Sequence, residues 1–318
     1  MRRIRSFWRQ VSPVFPGLLA LLLAGCIAQQ PPVGTGPAPQ PRPEQLAPQP
    51  SAESEAVRQH YARVQADLLA SGMLRTDGGG RDTPFNERML AENFIAIALY
   101  DEYVRSASGP IQRQAASRLR RWEQPIRVSL RFGATVPAAA RATDTARIQS
   151  YLARLSRLTG HPIALSESAP NFFIHIVNED ERRTLGPLAR AALPGLSQAE
   201  VDGIIDMPLS TYCLVYAMSD GPTGRYNRAF AVIRAEHPDL LRLSCMHEEI
   251  AQALGLANDS PRARPSIFND DEEFALLTGQ DELMLRMLYS PELRAGMTEA
   301  EARPIIQTLA RRLVGGES

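Results

Sequence analysis

From Glu248 to Asp259 the chain reads Glu-Glu-Ile-Ala-Gln-Ala-Leu-Gly-Leu-Ala-Asn-Asp, a spacing that restricts the backbone to a helix ending in a sharp bend. Residues four apart share one face of an α-helix, so Glu248 and Gln252 aim at a common point with Glu249 offset beside them. Gly255 can take a positive φ that residues with a Cβ resist. That lets the chain leave the helix and return Asn258 or Asp259 toward the same point. The pattern predicts a cluster of oxygen-bearing side chains at the end of a helix.

Periodicity places the other elements. Ala52–Ser71 sets Val57, Tyr61, Val64 and Leu68 on one helical face, and Asp77-Gly78-Gly79-Gly80 stops that helix. Thr83-Pro84 predicts a second helix, with Thr as N-cap and Pro at the first position, running to about Val104. An arginine-rich helix is expected around Gln112–Arg121. Ile126–Phe132 alternates apolar and polar residues as a half-buried strand does, and Asp144–Thr159 presents Ile148, Leu152, Leu155 and Leu158 on one helical face before Gly160. Asn171–Val177 is apolar enough for a central strand, with His175 as a core or cleft-lining residue. Ser197 and Glu200 form a capping box. Thr211–Met218 and Ala229–Ala235 are strand candidates around the turn Asp220-Gly221-Pro222, the second expected at a sheet edge. Thr278 then caps a helix over Glu282–Tyr289.

The N-terminus carries Arg2, Arg3, Arg5 and Arg9 before an apolar run from Val14 to Ala24, too short for a comfortable membrane span. The run ends in Leu23-Ala24-Gly25-Cys26, which resembles the bacterial lipobox. That resemblance implies cleavage before Cys26 and acylation of its thiol. Ile27 in place of Asp favours the outer membrane by lipoprotein sorting rules, with the folded part on the periplasmic side. Residues 26–50 are dominated by Pro, Gln, Gly and Ala and read as a tether, because such a segment cannot bury enough apolar surface to offset ordering entropy. The expected organisation is a signal peptide over 1–25, the lipidated cysteine and tether over 26–50, an N-terminal helix and Gly-rich loop over 51–81, and a globular domain over 82–318.

Basic and acidic residues balance at 35 each, every basic one being arginine. No basic block of nucleic-acid type interrupts the folded part, so nucleic acid is not an expected partner. With Cys26 acylated, Cys213 and Cys245 remain in an oxidising compartment, where they most simply pair; two separate buried thiols are the alternative.

The helix-and-bend segment resembles the metzincin zinc-protease signature HExxHxxGxxH. Glu248, Gln252 and Asn258 fall on the histidine positions, Glu249 on the catalytic glutamate and Gly255 on the turn glycine. Pro265-Ser266-Ile267-Phe268-Asn269-Asp270 is similar to the Met-turn, with Phe268 as the apolar floor, and the helix after Thr278 resembles the terminal helix of the matrixin branch. The implied fold is α+β and zincin-like, a mixed small sheet with an active-site-type helix and a helical C-terminal part. Zinc prefers imidazole and thiolate, which the three ligand positions lack. His247 precedes the register and would put Ala251 at the second ligand position, so it reads as a helix-start residue lining the cleft or touching a neighbouring carboxylate. Glu248, Gln252, Asn258 and Asp259 suit Ca²⁺, Mg²⁺ or Mn²⁺ better than zinc, and suit hydrogen bonding without a metal equally well.

A more direct similarity is to a bacterial lipoprotein family carrying a domain of unknown function. It is carried by Asn93-Phe94, Ala98 to Tyr103, Cys213, Cys245, Glu248 to Asp259, Ser266 to Asp270, Leu276 to Thr278 and Leu288 to Thr298, and covers about Asp82 to Ala302. The first functional expectation is a lipid-anchored envelope protein whose cleft binds a peptide, protein or cell-wall component without zinc-protease activity. The second is a metal-assisted hydrolase with Glu249 as general base. A purely structural envelope domain is the third.

Overall fold

The sheet is organised around one strand. The computed structural model describes residues 48–106, 109–269 and 271–315. The leader, Cys26, the tether as far as residue 47, and Asp270 lie outside the described residues. In chain order the elements are α1 (Ala52–Ala70), α2 (Glu87–Ala98), β1 (Tyr100–Ser106), β2 (Gly109–Ala116), β3 (Arg121–Trp122), β4 (Ile126–Phe132), α3 (Ala138–Thr159), β5 (Ile163–Leu165) and β6 (Phe172–Val177). They continue with α4 (Glu179–Arg182), α5 (Gly186–Ala192), α6 (Gln198–Ile205), β7 (Cys213–Ser219), β8 (Arg225–Arg234), α7 (Asp239–Leu254), α8 (Gly279–Leu288) and α9 (Glu299–Gly315).

The main sheet runs β5, β4, β6, β8, β7, with β3 beside the first residues of β8. β5, β4, β6 and β8 are parallel, and β7 returns antiparallel to β8 from Cys213↔Ile233 to Ser219↔Tyr226. Side chains of β8 alternate between two cores, as period-two geometry requires. Ala229, Ala231 and Ile233 face the larger core with α2, α3, α7, α8 and α9, whereas Phe230 and Val232 face a smaller one with Ala189 of α5 and Val201 and Ile204 of α6. A third cluster joins Val57 and Tyr61 of α1 to Leu241 and Ala275.

The expected helix over Asp144–Thr159 starts earlier, at Ala138, and ends on Gly160 in the left-handed conformation. Four expectations are corrected. α1 ends at Ala70 and is capped by Ser71 ahead of Gly72, before the glycine run is reached. α2 is capped by Asn86, whose side chain accepts from Met89 N at 2.9 Å, not by Thr83. It ends at Ala98, and the residues expected to extend it, with those read as an arginine-rich helix, form the antiparallel hairpin β1–β2 and the short β3. Ala229–Ala235 falls largely on β8, which is hydrogen-bonded on both sides, so on this side of the sheet β7 is the outermost strand among the described residues.

Candidate functional site

α7 is held at its middle and at its end. Midway along it, a disulfide joins Cys245 to Cys213 of β7 with Cα atoms 5.9 Å apart. At its end, Trp122 Nε1 donates to Ala253 O at 2.8 Å and the Tyr289 hydroxyl donates to Leu254 O at 3.0 Å, satisfying carbonyls that a helix terminus leaves without partners. Gly255 follows at φ 125°, and a Cβ there would stand 2.1 Å from Arg120 O. Both conformation and space demand glycine.

Glu248 and Gln252 are half-buried, and Gln252 Nε2 donates to Asp259 Oδ1 at 3.3 Å. The bend thus brings Asp259 back to the helix face. Glu249 is buried. Asn258, 2 % exposed, turns away: its Nδ2 donates to Ala96 O at 2.7 Å and its backbone N–H to Ile97 O at 3.1 Å. It closes the end of α2 and is not presented with Glu248 and Gln252.

His247, one residue before Glu248, is buried. Its ring stacks on Tyr151 with centroids 4.0 Å apart, and its Nδ1 accepts from Leu277 N at 3.1 Å, which leaves the proton on Nε2. Burial, assisted by the Arg154 charge, pushes its pKa down to about 3. A histidine with one nitrogen committed to the backbone and its ring packed on tyrosine is an anchor between α3, α7 and the loop before α8.

Behind α7, Phe268 is fully buried in the larger core. The turn that carries it is tied to α8 through Asp281, which accepts from Ser266 Oγ at 2.6 Å, Ile267 N at 3.0 Å, Thr278 N at 2.9 Å and Thr278 Oγ1 at 2.8 Å. Burial raises the Asp281 carboxyl to about 6 against the pull of these donors.

The donor set does not fit zinc. No histidine occupies the three signature positions, Asn258 is committed to Ala96, and His247 Nδ1 to Leu277. Among the described residues no group of three or more His, Cys, Asp or Glu side chains is placed to hold an ion. Surface concavities of about 850 and 710 Å³ lie elsewhere and are lined by none of Glu248, Glu249, Gln252, Asn258 or Asp259.

Sequence reasoning missed a charged cluster at the carboxyl ends of β6 and β8. Glu179, Arg182, Arg234, Glu236 and His237 are all buried. Arg234 Nη1 donates to Glu179 Oε2 at 2.6 Å, Arg182 pairs with the same carboxylate, and Glu236 Oε1 accepts from Glu179 N at 2.5 Å and from Ser54 Oγ of α1 at 2.7 Å. Burial pushes the Glu179 carboxyl up, and Arg182 with Arg234 together bring it below its ordinary value. Burial also raises Glu236 and holds His237 well below the usual imidazole range. Only the sequence Arg234-Ala235-Glu236-His237 directly after an apolar strand hinted at it, and charges at strand ends ordinarily face water.

No curated protein and no solved structure matches the chain. The profile of the family described as Protein of unknown function (DUF2927) matches residues 87–308, from the start of α2 into α9, and the chain belongs to that family.

Proposed function

We propose that the protein is an envelope lipoprotein, anchored through Cys26 to the periplasmic face of the outer membrane, whose degenerate metzincin-like cleft binds a peptide, protein or cell-wall component without zinc-protease chemistry. The observation that carries this reading is the half-buried face of α7, where Glu248 and Gln252, joined by Asp259, stand at positions a zinc protease fills with imidazoles. The order of elements supports it as well: a parallel sheet with one antiparallel edge strand leads into α7, the Gly255 bend and the buried Phe268 turn.

Carboxylate and amide groups at such a face accept and donate hydrogen bonds to a polar backbone, while the apolar core behind α7 holds them in place. Strand addition at Ala229–Ala235 plays no part, because β8 has neighbours on both sides.

The test is a binding panel of unmodified peptides, envelope proteins and muropeptides, with and without a chelator, on wild type and on Glu248→Ala and Gln252→Ala. Chelator-insensitive binding, weakened about tenfold by either substitution, is expected for the loss of one or two charge-assisted hydrogen bonds. Stoichiometric metal in the purified protein, with turnover abolished by Glu249→Ala, would replace this reading by the hydrolase in which Glu249 is the general base. Mass spectrometry of the mature chain checks acylation at Cys26.

A further inference from the structure

α1 lies across the carboxyl ends of β6 and β8 and precedes the stretch that matches the family profile. It is lightly held. Of its nineteen residues only Ser54, Val57 and Tyr61 are buried, the last two in the cluster with Leu241 and Ala275. Near its start, Ser51 N donates to Asp180 Oδ2 at 3.2 Å, Glu53 pairs with Arg183 at the surface, and Ser54 Oγ donates to Glu236 Oε1 at 2.7 Å. Further along, the Tyr61 hydroxyl donates to Leu209 O and Gln65 Oε1 accepts from Leu241 N, both at 3.0 Å. The other end of the helix is different. Gly72, at φ 78°, has open space where a Cβ would stand, and just beyond it the chain is stitched to the body. Leu74 N donates to Glu272 O at 2.9 Å, Arg75 N to Glu273 O at 2.8 Å, and Ala275 N to Arg75 O at 2.9 Å. α1 can therefore swing about Gly72 without disturbing that stitch.

What α1 covers is incompletely satisfied. Glu236 and His237 are each 1 % exposed, yet among the described residues Glu236 Oε2 and His237 Nε2 have no hydrogen-bond partner. An unpartnered buried polar atom costs stability that contact with water restores. Burial of Val57 and Tyr61 favours a closed helix, and these two atoms oppose it. The same cover lies over the neighbours of both bridged cysteines. Tyr61 packs its ring on Tyr212, the residue before Cys213, with centroids 5.6 Å apart, and on His237 at 4.3 Å, whose Nδ1 stands 3.7 Å from Cys245 Sγ. Cys245 is buried and Cys213 half-buried.

We propose that α1 is a latch, hinged at Gly72 and fastened by Ser54 to Glu236, that opens as a unit ahead of global unfolding and gives thiols access to the Cys213–Cys245 bridge. Opening hydrates Glu236 Oε2 and His237 Nε2, which offsets the apolar contacts it breaks. With the latch closed the bridge is a staple. With it open, a dithiol can reduce the bridge and release β7 from α7: the dithiol is oxidised to a disulfide, and its two electrons and two protons pass to the sulfurs of Cys213 and Cys245. The proposal does not depend on what the α7 face binds.

The test uses the full chain. Hydrogen exchange read by peptide mass spectrometry reports opening of α1 and of β8 separately, and the rate of bridge reduction by dithiothreitol reports access to the sulfurs. In wild type, α1 amides are expected to exchange about tenfold faster than those of β8 or more, with reduction proportional to dithiothreitol and faster than global unfolding allows. Ser54→Ala removes the fastening to Glu236. It should speed α1 exchange and bridge reduction together by about tenfold, the size of one hydrogen bond to a buried carboxylate, and leave β8 unchanged. Val57→Ala, which touches no polar group of the cluster, should shift both readouts in the same direction, so the outcome does not hang on one variant folding. Exchange of α1 no faster than that of β8, reduction only at the rate of global unfolding, or either readout unmoved by both substitutions overturns the proposal.

Discussion

Asp281 shows how one side chain fixes the turn behind α7. Every acceptor bond it makes holds either Ser266 and Ile267 or the cap of α8. The ordinary value of an aspartate is 3.8, and burial raises this one to about 6, so the folded protein keeps a proton that the unfolded chain releases. Its contribution to stability is complete below pH 3.8 and declines as pH rises through 6, by on the order of 3 kcal/mol. Asp281→Asn removes that decline. Chemical denaturation of the variant should therefore show a steeper gain in stability from pH 4 to pH 6 than wild type, and equal slopes would refute the assignment. The cap formed by Thr278 was readable from its sequence context, because Thr followed three residues later by an acid is a local pattern. The commitment of Asn258 to Ala96 was not, since its partner lies 162 positions away and nothing local marks it.

Among the elements, β7 and α7 depend on each other most. β7 is paired on one side with β8, and the Cys213–Cys245 disulfide fastens it to the helix below. The bridge spans 32 positions, for which the loss of unfolded-chain freedom is worth about 3.5 kcal/mol. Replacing both cysteines by serine should lower the unfolding free energy by roughly that amount, with hydrogen exchange in β7 accelerating first; uniform acceleration across the sheet would show that the bridge acts elsewhere. β4 and α3 were legible because each buries one face at its own period, as Ile148, Leu152 and Leu155 do on α3; β6 was legible from its near-continuous apolar run, and α7 from the spacing of Glu248, Gln252 and Gly255. The hairpin β1–β2 was not. Its residues Tyr100–Ala116 mix polar, small and branched side chains without a two-fold or a 3.6-residue rhythm, and helix-forming arginines pulled the reading toward a helix. Edge or centre was equally hidden for β8, because strand order is settled by partners far along the chain.

At the scale of the whole molecule, acid stability is decided by buried histidines against buried carboxyls. His175 is pushed down to about 4 by burial and the Arg131 charge, His247 to about 3, and His237 well below its ordinary value. The unfolded chain takes up these protons below pH 6.5 and the folded one refuses them, so each group removes stability as pH falls from 6.5 toward its folded value. Three such groups, joined by the lowered carboxyls of Glu179, Asp239 and Glu273, act against the raised carboxyls of Asp281, Asp144 and Glu236. The unfolding free energy should fall on acidification below about pH 6.5, and the His247 ring should remain neutral by NMR until near pH 3; protonation of His247 close to pH 6 would contradict its packing on Tyr151. Sequence periodicity revealed the α+β class, but the charged cluster under α1 came from tertiary structure alone, where Ser54 meets Glu236 across 182 positions. The place of β8 has a consequence for synthesis. β3, β6 and β7 all attach to it, yet it is made after each of them. A nascent chain that has not reached Arg225 has no keystone for its sheet and exposes apolar strands meanwhile, a form that a holding chaperone must shield from aggregation.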